Sequence, residues 1–281
     1  MSVLSISKFK PGNQSFPINI SFLSPNIQTQ QAKQLQITMS SVRNSSFVHL
    51  LAAFAFLLQT TFGADPLLHI CSDTGNFSAY DPYEANLRHL TGYLSIQAPP
   101  SGFGLGSIGQ NPNQAYGLAL CRGDVSSQDC KTCVVEAGSE IRKRCPFDKG
   151  AIIWYDDCLF KYSNVEFFGR IDNRNMFSMY NLNNVSEPEV FNAKTRGLLS
   201  QLANEAYANP KMYAVGEMEL YGSEKIYGLT QCTRDLSNDE CMKCLDGIIG
   251  KLPSCCDGKE GGRVVGGSCN IRYEIYPFVN A

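Results

Sequence analysis

The sequence predicts an α+β protein of two tandem domains, each an antiparallel β-sheet with two α-helices packed on one face, held together by disulfide bonds. A long internal repeat is the first observation behind this prediction. The stretch Cys121–Cys133 has the pattern Cys-x8-Cys-x2-Cys, which returns at Cys232–Cys244, 111 residues later. A constant offset without gaps indicates one structural unit present twice. The same offset relates Cys145 to Cys256, Cys158 to Cys269, Tyr116 to Tyr227, Tyr162 to Tyr273 and Phe167 to Phe278.

Helical and strand patterns are segregated within each repeat, which is the second observation. In repeat one, apolar residues recur at helical spacing within Pro82–Gln97, and a second helix is predicted to begin at the capping sequence Ser126-x-x-Asp129 and to end near Arg144. A glycine-rich loop is predicted from Ser101 to Ala115. Strands are then predicted at 116–121, 151–155 and 158–162, with Asp156-Asp157 in the last turn.

Repeat two follows the same plan. Its first helix is marked by Phe191, Leu198 and Leu202, and Ser237-x-x-Glu240 caps the second. Strands are predicted at 212–221, at Arg263-Val-Val and at 269–277. Because helices and strands do not alternate as βαβ units, an antiparallel α+β arrangement is favoured over a parallel sheet.

A secretory signal accounts for the cysteine content, the third observation. From Phe47 to Phe62 the chain is almost wholly apolar, preceded by Arg43 and followed by small residues. This is typical of a signal peptide beginning at Met39; a buried core helix is the alternative, and the run is too short for a good membrane span. All twelve cysteines follow it, so disulfides in an oxidising compartment are expected.

These boundaries predict four segments. Residues 1–38 are interpreted as a gene-model extension or a disordered leader, and 39–64 as the signal peptide. Domain 1 is predicted at 65–170 and domain 2 at 177–281. No membrane anchor is expected after the signal, and the sequons at Asn76 and Asn184 predict glycosylation.

The cysteines allow three interpretations. A four-thiolate zinc site is disfavoured because the two Cys-x2-Cys pairs lie in separate repeats on an oxidising route. A thioredoxin-like redox site is disfavoured because further cysteines in each repeat compete for the motif. Structural disulfides are the favoured interpretation.

Several motifs together resemble the plant cysteine-rich repeat secretory proteins, whose salt-stress-response/antifungal domain also occurs in ginkbilobin-like seed proteins, plasmodesmata-located proteins and cysteine-rich receptor-like kinases. The resemblance covers about 65–281. It rests on Cys-x8-Cys-x2-Cys, the preceding Tyr-Gly-Leu-x-x-Cys, Cys255-Cys256-Asp-Gly-Lys, Gly261-Gly-Arg-Val-Val and Cys269-Asn-Ile-Arg-Tyr-Glu-Ile-Tyr-Pro-Phe278.

The resemblance implies a disulfide pairing of first with fifth, second with third and fourth with sixth cysteine. That pairing gives Cys71–Cys145, Cys121–Cys130, Cys133–Cys158, Cys232–Cys241 and Cys244–Cys269. Leu182 stands where a partner for Cys256 would be expected. Cys255 and Cys256 are therefore unresolved, with a vicinal disulfide or two thiols as the alternatives.

Catalytic signals are weak. The mature chain contains His69 and His89 but no nucleophile elbow, metalloprotease motif or phosphate loop. Asp156-Asp157 is better explained as a turn than as a catalytic carboxylate pair. We therefore expect a non-enzymatic protein without cofactor or metal. The formal net charge of −2 also argues against a nucleic-acid partner.

The resemblance implies two binding roles. Some ginkbilobin-like proteins resemble mannose lectins that use an Asn, an Arg and a Glu. The corresponding positions are Asn183, Arg263 and Glu274 in repeat two, with Asn181 as a fallback for the first. In repeat one they are Ser72, Ile152 and Ser163, so that site is expected to be lost.

A cross-strand salt bridge on an exposed sheet is the structural alternative for Arg263 and Glu274. The other binding role is recognition of an extracellular or receptor protein without sugar. The sequence thus indicates a secreted apoplastic stress or defence protein, with mannose binding as the hypothesis and protein recognition as its alternative.

Overall fold

A computed structural model describes residues 5–6, 65–72, 74–220 and 222–279. The predictions for residues 1–38 and 39–64 fall outside the described residues, apart from Ser5 and Ile6. Both repeats belong to one compact unit, and each builds its own sheet. The predicted α+β architecture of two antiparallel sheets with helices on one face is confirmed.

The first repeat forms a five-stranded antiparallel sheet in the order β2-β5-β6-β4-β3. Helix α1 begins after Asp81, whose carboxylate accepts a hydrogen bond from the Tyr83 amide, and α2 begins after Ser126, whose hydroxyl accepts from the Asp129 amide. The predicted capping of α2 is therefore present. The elements are β2 (Leu68–Cys71), α1 (Pro82–Gln97), β3 (Phe103–Ile108), β4 (Ala115–Cys121), α2 (Ser127–Arg144), β5 (Ala151–Trp154) and β6 (Cys158–Ser163).

The predicted loop between Ser101 and Ala115 is wrong, because this segment contains strand β3, paired with β4. Glycines in β3 concealed the strand pattern. A Cβ atom at Gly104 would lie 3.0 Å from the Ala98 nitrogen, and one at Gly106 would lie 2.6 Å from a ring carbon of Tyr93. The glycines thus permit close packing of α1 on the sheet instead of marking a loop.

The second repeat repeats this sheet in the order β7-β10-β11-β9-β8. Strand β1 (Ser5–Ile6) pairs in parallel with the edge strand β7. The Ser237 hydroxyl accepts from the Glu240 amide and caps α4 as predicted. The elements are β7 (Met176–Tyr180), α3 (Pro188–Ala208), β8 (Tyr213–Glu219), β9 (Lys225–Cys232), α4 (Asn238–Ile249), α5 (Leu252–Cys255), β10 (Gly261–Gly266) and β11 (Cys269–Glu274).

Disulfides connect the helices to the sheet in both repeats. The last bridge joins two neighbouring residues at the end of α5, at the position of the bridge that the sequence left open. The bonded pairs are Cys71–Cys145, Cys121–Cys130, Cys133–Cys158, Cys232–Cys241, Cys244–Cys269 and Cys255–Cys256.

The two sheets pack against each other through the faces that their own helices leave uncovered. Trp154 is central: its ring meets Phe177 edge-on at 5.2 Å between centroids, and its indole nitrogen donates to the Gly266 carbonyl at 3.1 Å. Because alternate strand residues point to opposite faces, each sheet buries one set under helices and the other against its neighbour. This interdomain core contains Leu118, Ile152, Trp154, Leu159, Phe177, Met179 and Val265.

Candidate binding site

Strands β10 and β11 position the Arg and Glu that the sequence singled out. Arg263 is directly opposite Arg272, and Gly261 is opposite Glu274. The side chains of Arg263, Arg272 and Glu274 therefore share one face of the sheet, the face that meets domain 1. All three side chains are buried.

Arg263 is held by the first domain. Its Nη1 donates to Asp156 Oδ1 at 2.7 Å, across the boundary between the repeats. Asp156 lies in the turn between β5 and β6 and is about half exposed, whereas Arg263 is almost fully covered. Asp156 thus neutralises a cation that the packing of the two sheets removes from water.

Glu274 has a different partner. It is 1% exposed, and its Oε1 accepts from Arg272 Nε at 3.0 Å. Gly261 makes room for it, because a Cβ at this position would meet Glu274 Oε2. The ring of Phe278 covers the guanidinium of Arg272 at 4.2 Å. The alternative interpretation of Arg263 and Glu274 as an exposed cross-strand salt bridge does not hold, because both are buried and each is paired with another residue.

Burial perturbs both groups. Desolvation lowers the pKa of Arg263 to about 10, an effect that the charge of Asp156 opposes. Desolvation raises the pKa of Glu274 to about 7, although Arg272 favours its ionised form. Glu274 consequently exchanges its proton near neutral pH in the folded protein.

Asn183 lies at the outer rim of the same sheet. It is exposed, and its Nδ2 donates to Glu260 Oε2 at 3.0 Å. The fallback residue, Asn181, is buried, and its side-chain oxygen accepts from the Asn183 amide. The structure thus brings Arg263 and Glu274 together on the covered face, with Asn183 on the accessible rim.

The corresponding positions of repeat one are Ser72, Ile152 and Ser163. Ser72 matches the fallback residue Asn181, because its amide donates to the Gly150 carbonyl as the Asn181 amide donates to the Gly261 carbonyl. Ile152 is buried in the interdomain core, where an apolar side chain replaces the guanidinium of Arg263. Ser72 and Ser163 carry only hydroxyl groups. Domain 1 therefore lacks the charged pair that domain 2 contains.

Two participants were not predicted as site residues. Asp156 was interpreted only as a turn residue, and nothing local to it indicates that it reaches the second repeat. Arg272 had an available signal, because it lies 111 residues after Lys161, another basic residue on the corresponding strand. Asp157, the neighbour of Asp156, pairs with Arg122 Nη1 at 3.1 Å, so the two carboxylates serve different arginines.

Comparison with known proteins identifies the repeated unit. The sequence matches the family described as salt stress response/antifungal over residues 70–165 and 178–276. It is 59% identical over 218 residues to an antimicrobial ginkbilobin-2-like protein of Castanea crenata, covering 78% of this chain and 90% of that protein. It is 55% identical over 216 residues to cysteine-rich repeat secretory protein 38 of Arabidopsis thaliana, covering 76% and 85%.

A solved structure shares the tandem arrangement. The tandem ectodomain of the Arabidopsis thaliana cysteine-rich receptor-like protein PDLP8 matches with a TM-score of 0.66 and 23% identity, covering 76% of this chain and all of that one. At this identity the likeness establishes the fold. Within the described residues, no helix combines the length and apolar character required to cross a membrane.

Proposed function

Because the chain belongs to the salt stress response/antifungal family, we propose that it is a secreted plant protein of extracellular stress or defence that acts by binding and not by catalysis. The names of its relatives support this proposal, since one is called antimicrobial and another secretory. The six disulfides suit an oxidising extracellular compartment such as the apoplast. Domain limits of 65–170 and 177–281 are part of the proposal.

The proposed partner is an extracellular or receptor protein. The observation that carries this choice is the burial of Arg263 and Glu274 between the domains, where both serve the packing of the tandem pair. A shared interdomain core fixes the two outer surfaces relative to each other, which favours recognition of a large ligand. The ectodomain with the same tandem fold belongs to a receptor-like protein, which supports the same class of partner.

Binding of a mannose-type glycan is the second candidate. It is favoured by the exposed Asn183 and by a neighbouring cavity of about 590 Å³, whose lining includes Glu260 and Tyr227. An amide, a carboxylate and an aromatic ring are suitable contacts for a sugar. In this version, Asn183 and Glu260 contact the sugar, and Arg263 and Glu274 support the strand beneath them.

Titration of the glycosylated mature protein separates the two candidates. Calorimetry with mannose and mannan oligosaccharides is expected to give no heat, whereas immobilised receptor-like ectodomains are expected to bind the protein saturably. Heat that disappears in Asn183→Ala, with the circular dichroism spectrum unchanged, would instead establish the sugar site. Inhibition of fungal growth by the same preparation tests the defence role.

A further inference from the structure

The bridge between Cys255 and Cys256 differs from the other five in what it can contribute to stability. Cys256 corresponds to Cys145, which in repeat one is joined to Cys71 across 74 residues. A bridge between adjacent residues closes no chain loop, so it removes little entropy from the unfolded chain. Stabilisation of the fold therefore does not account for the presence of the Cys255–Cys256 bridge.

A cavity of about 210 Å³ lies beside this bridge. Thr195 lines it; this side chain is 3% exposed, and its hydroxyl oxygen has no hydrogen-bond partner within the described part of the chain. Arg196 and Asp257 add a positive and a negative charge to the same lining, and both are exposed. The cavity thus offers an unused hydroxyl and two opposite charges next to Cys256.

The corresponding place in repeat one is occupied differently. Leu87 occupies the position of Thr195, because Leu90 and Leu94 lie next to Gly117 as Leu198 and Leu202 lie next to Gly228. Glu84, one turn earlier, pairs with Arg142 Nη2 at 3.4 Å, and Cys145 is engaged by the distant Cys71. In repeat two, Pro253 takes the position of Arg142. It lies in the first turn of the short helix α5, whereas Arg142 lies in the last turn of α2. The cavity and the adjacent-cysteine bridge are therefore features of repeat two.

We propose that Cys255–Cys256 is a thiol–disulfide exchange site for a low-molecular-weight thiol that carries an amino group and a carboxylate, such as an amino acid or small peptide thiol. Arg196 pairs with the carboxylate of this thiol, and Asp257 pairs with its ammonium group. The Thr195 hydroxyl donates a hydrogen bond to the carboxylate. The charges match the two exposed groups, and the cavity volume suits a molecule of this size.

The exchange requires no oxidant, because one disulfide and one thiol are consumed and one of each is formed. The incoming thiolate attacks the Cys256 sulfur, which lines the cavity, a new S–S bond forms there, and the Cys255–Cys256 bond breaks. The electron pair leaves on the half-buried Cys255 sulfur, which takes up the proton that the incoming thiol released. The Cys255 sulfur lies 3.7 Å from the Leu252 carbonyl oxygen, an acceptor for the resulting S–H.

The test is mass spectrometry of the secreted protein after incubation with glutathione under native conditions. We expect one glutathione adduct on the peptide containing Cys255 and Cys256, forming about tenfold faster than at any other bridge. The double variant Cys255→Ser, Cys256→Ser should remain folded and form no adduct. Earlier reaction at Cys71–Cys145, or no adduct at all, would overturn the proposal.

Recognition of the thiol is tested separately from its reactivity. With glutathione, Arg196→Ala should slow adduct formation about threefold, because a partly exposed ion pair is lost. With 2-mercaptoethanol, which has neither charged group, the same variant should react at the wild-type rate. Equal slowing with both thiols, or slowing with neither, would refute the assigned charge recognition.

Discussion

The two repeats place a cation beneath a phenylalanine ring at the same position. In repeat one, Lys161 Nζ lies 4.4 Å from the centre of the Phe167 ring; in repeat two, the guanidinium carbon of Arg272 lies 4.2 Å from Phe278. Their anions differ, however. Lys161 pairs with Asp172 at 2.6 Å, in the segment that connects the domains, whereas Arg272 pairs with Glu274 on its own strand.

The different ion pairs of Lys161 and Arg272 indicate that the two repeats differ mainly on the faces where they meet. Facing the helices, both sheets bury matching positions, such as Tyr162 and Tyr273. On the faces where the two sheets meet, Arg263 of repeat two takes the position that Ile152 has in repeat one. Glu274 likewise takes the position of Ser163. On this face the first repeat buries the single charge of Lys161, whereas the second buries Arg263, Arg272 and Glu274. Of these three, Arg263 depends on Asp156 of the first repeat for its counterion.

Removal of a long-range bridge from repeat one should have the largest effect. The variant Cys71→Ala, Cys145→Ala frees a loop of 74 residues and should lower the free energy of unfolding by about 4 kcal/mol. Replacing Cys255 and Cys256 by Ala should lower it by less than about 1 kcal/mol. Urea unfolding of both variants measures the contrast, and equal losses would contradict it.

The acidity of Glu274 should make the stability of the protein depend on pH. Its folded pKa, about 7, is raised above the ordinary 4.5, so the folded state binds its proton more tightly than the unfolded state. The resulting stabilisation is complete below about pH 4.5 and is lost as the pH rises to about 7. The loss should reach about 3 kcal/mol at most.

The control for this pH effect is Glu274→Gln, which places an amide that does not titrate where repeat one has Ser163. Urea midpoints measured between pH 4.5 and 8 should lose most of their slope over this window in the variant. An unchanged slope would assign the pH dependence to other groups.

Asp156→Ala should cost about 2 kcal/mol of unfolding free energy, because it leaves the buried Arg263 without its counterion. Arg263→Met should cost much less, since it replaces the cation by an apolar side chain of similar length, as Ile152 does in repeat one. Thermal unfolding measures the loss of stability in each variant, and we expect the larger loss in Asp156→Ala. A larger loss in Arg263→Met would show that the guanidinium itself stabilises the contact.

The smallest effect is expected for the two rings. Phe278→Ala should cost about 1 kcal/mol, mainly through the lost contact with Arg272. Phe167→Ala should cost more, because this ring also packs on the interdomain core and against Phe168. The same urea experiment compares them, and the reverse order would remove the distinction drawn here between the two rings.

Local patterns predicted most of each repeat. Both Ser caps, the helical stripes and the last strands follow from period and capping, since these signals depend on neighbours in the chain. Strand β3 was not predicted because its glycines are required by the close packing of α1, a contact that the strand sequence alone does not show. Its counterpart β8, which was predicted, has Ala214 and Gly216 at those positions and therefore keeps one side chain where β3 has none.

The candidate site was less predictable, because its decisive property is burial by another domain. Residue type identified Arg263 and Glu274 correctly as an unusual charged pair. Nothing in either strand indicates that the Asp156 turn supplies the counterion, or that the second sheet covers the pair. Contacts between residues about a hundred positions apart leave no periodic trace along the chain.

The ion pair between Asp156 of the first repeat and Arg263 of the second also makes assembly directional. A pair of second repeats would bring Arg263 toward another Arg263, and a pair of first repeats would lack the charge that Asp156 neutralises. Only a first repeat against a second satisfies both surfaces. The divergence of the two repeats therefore disfavours pairing between like repeats of neighbouring molecules.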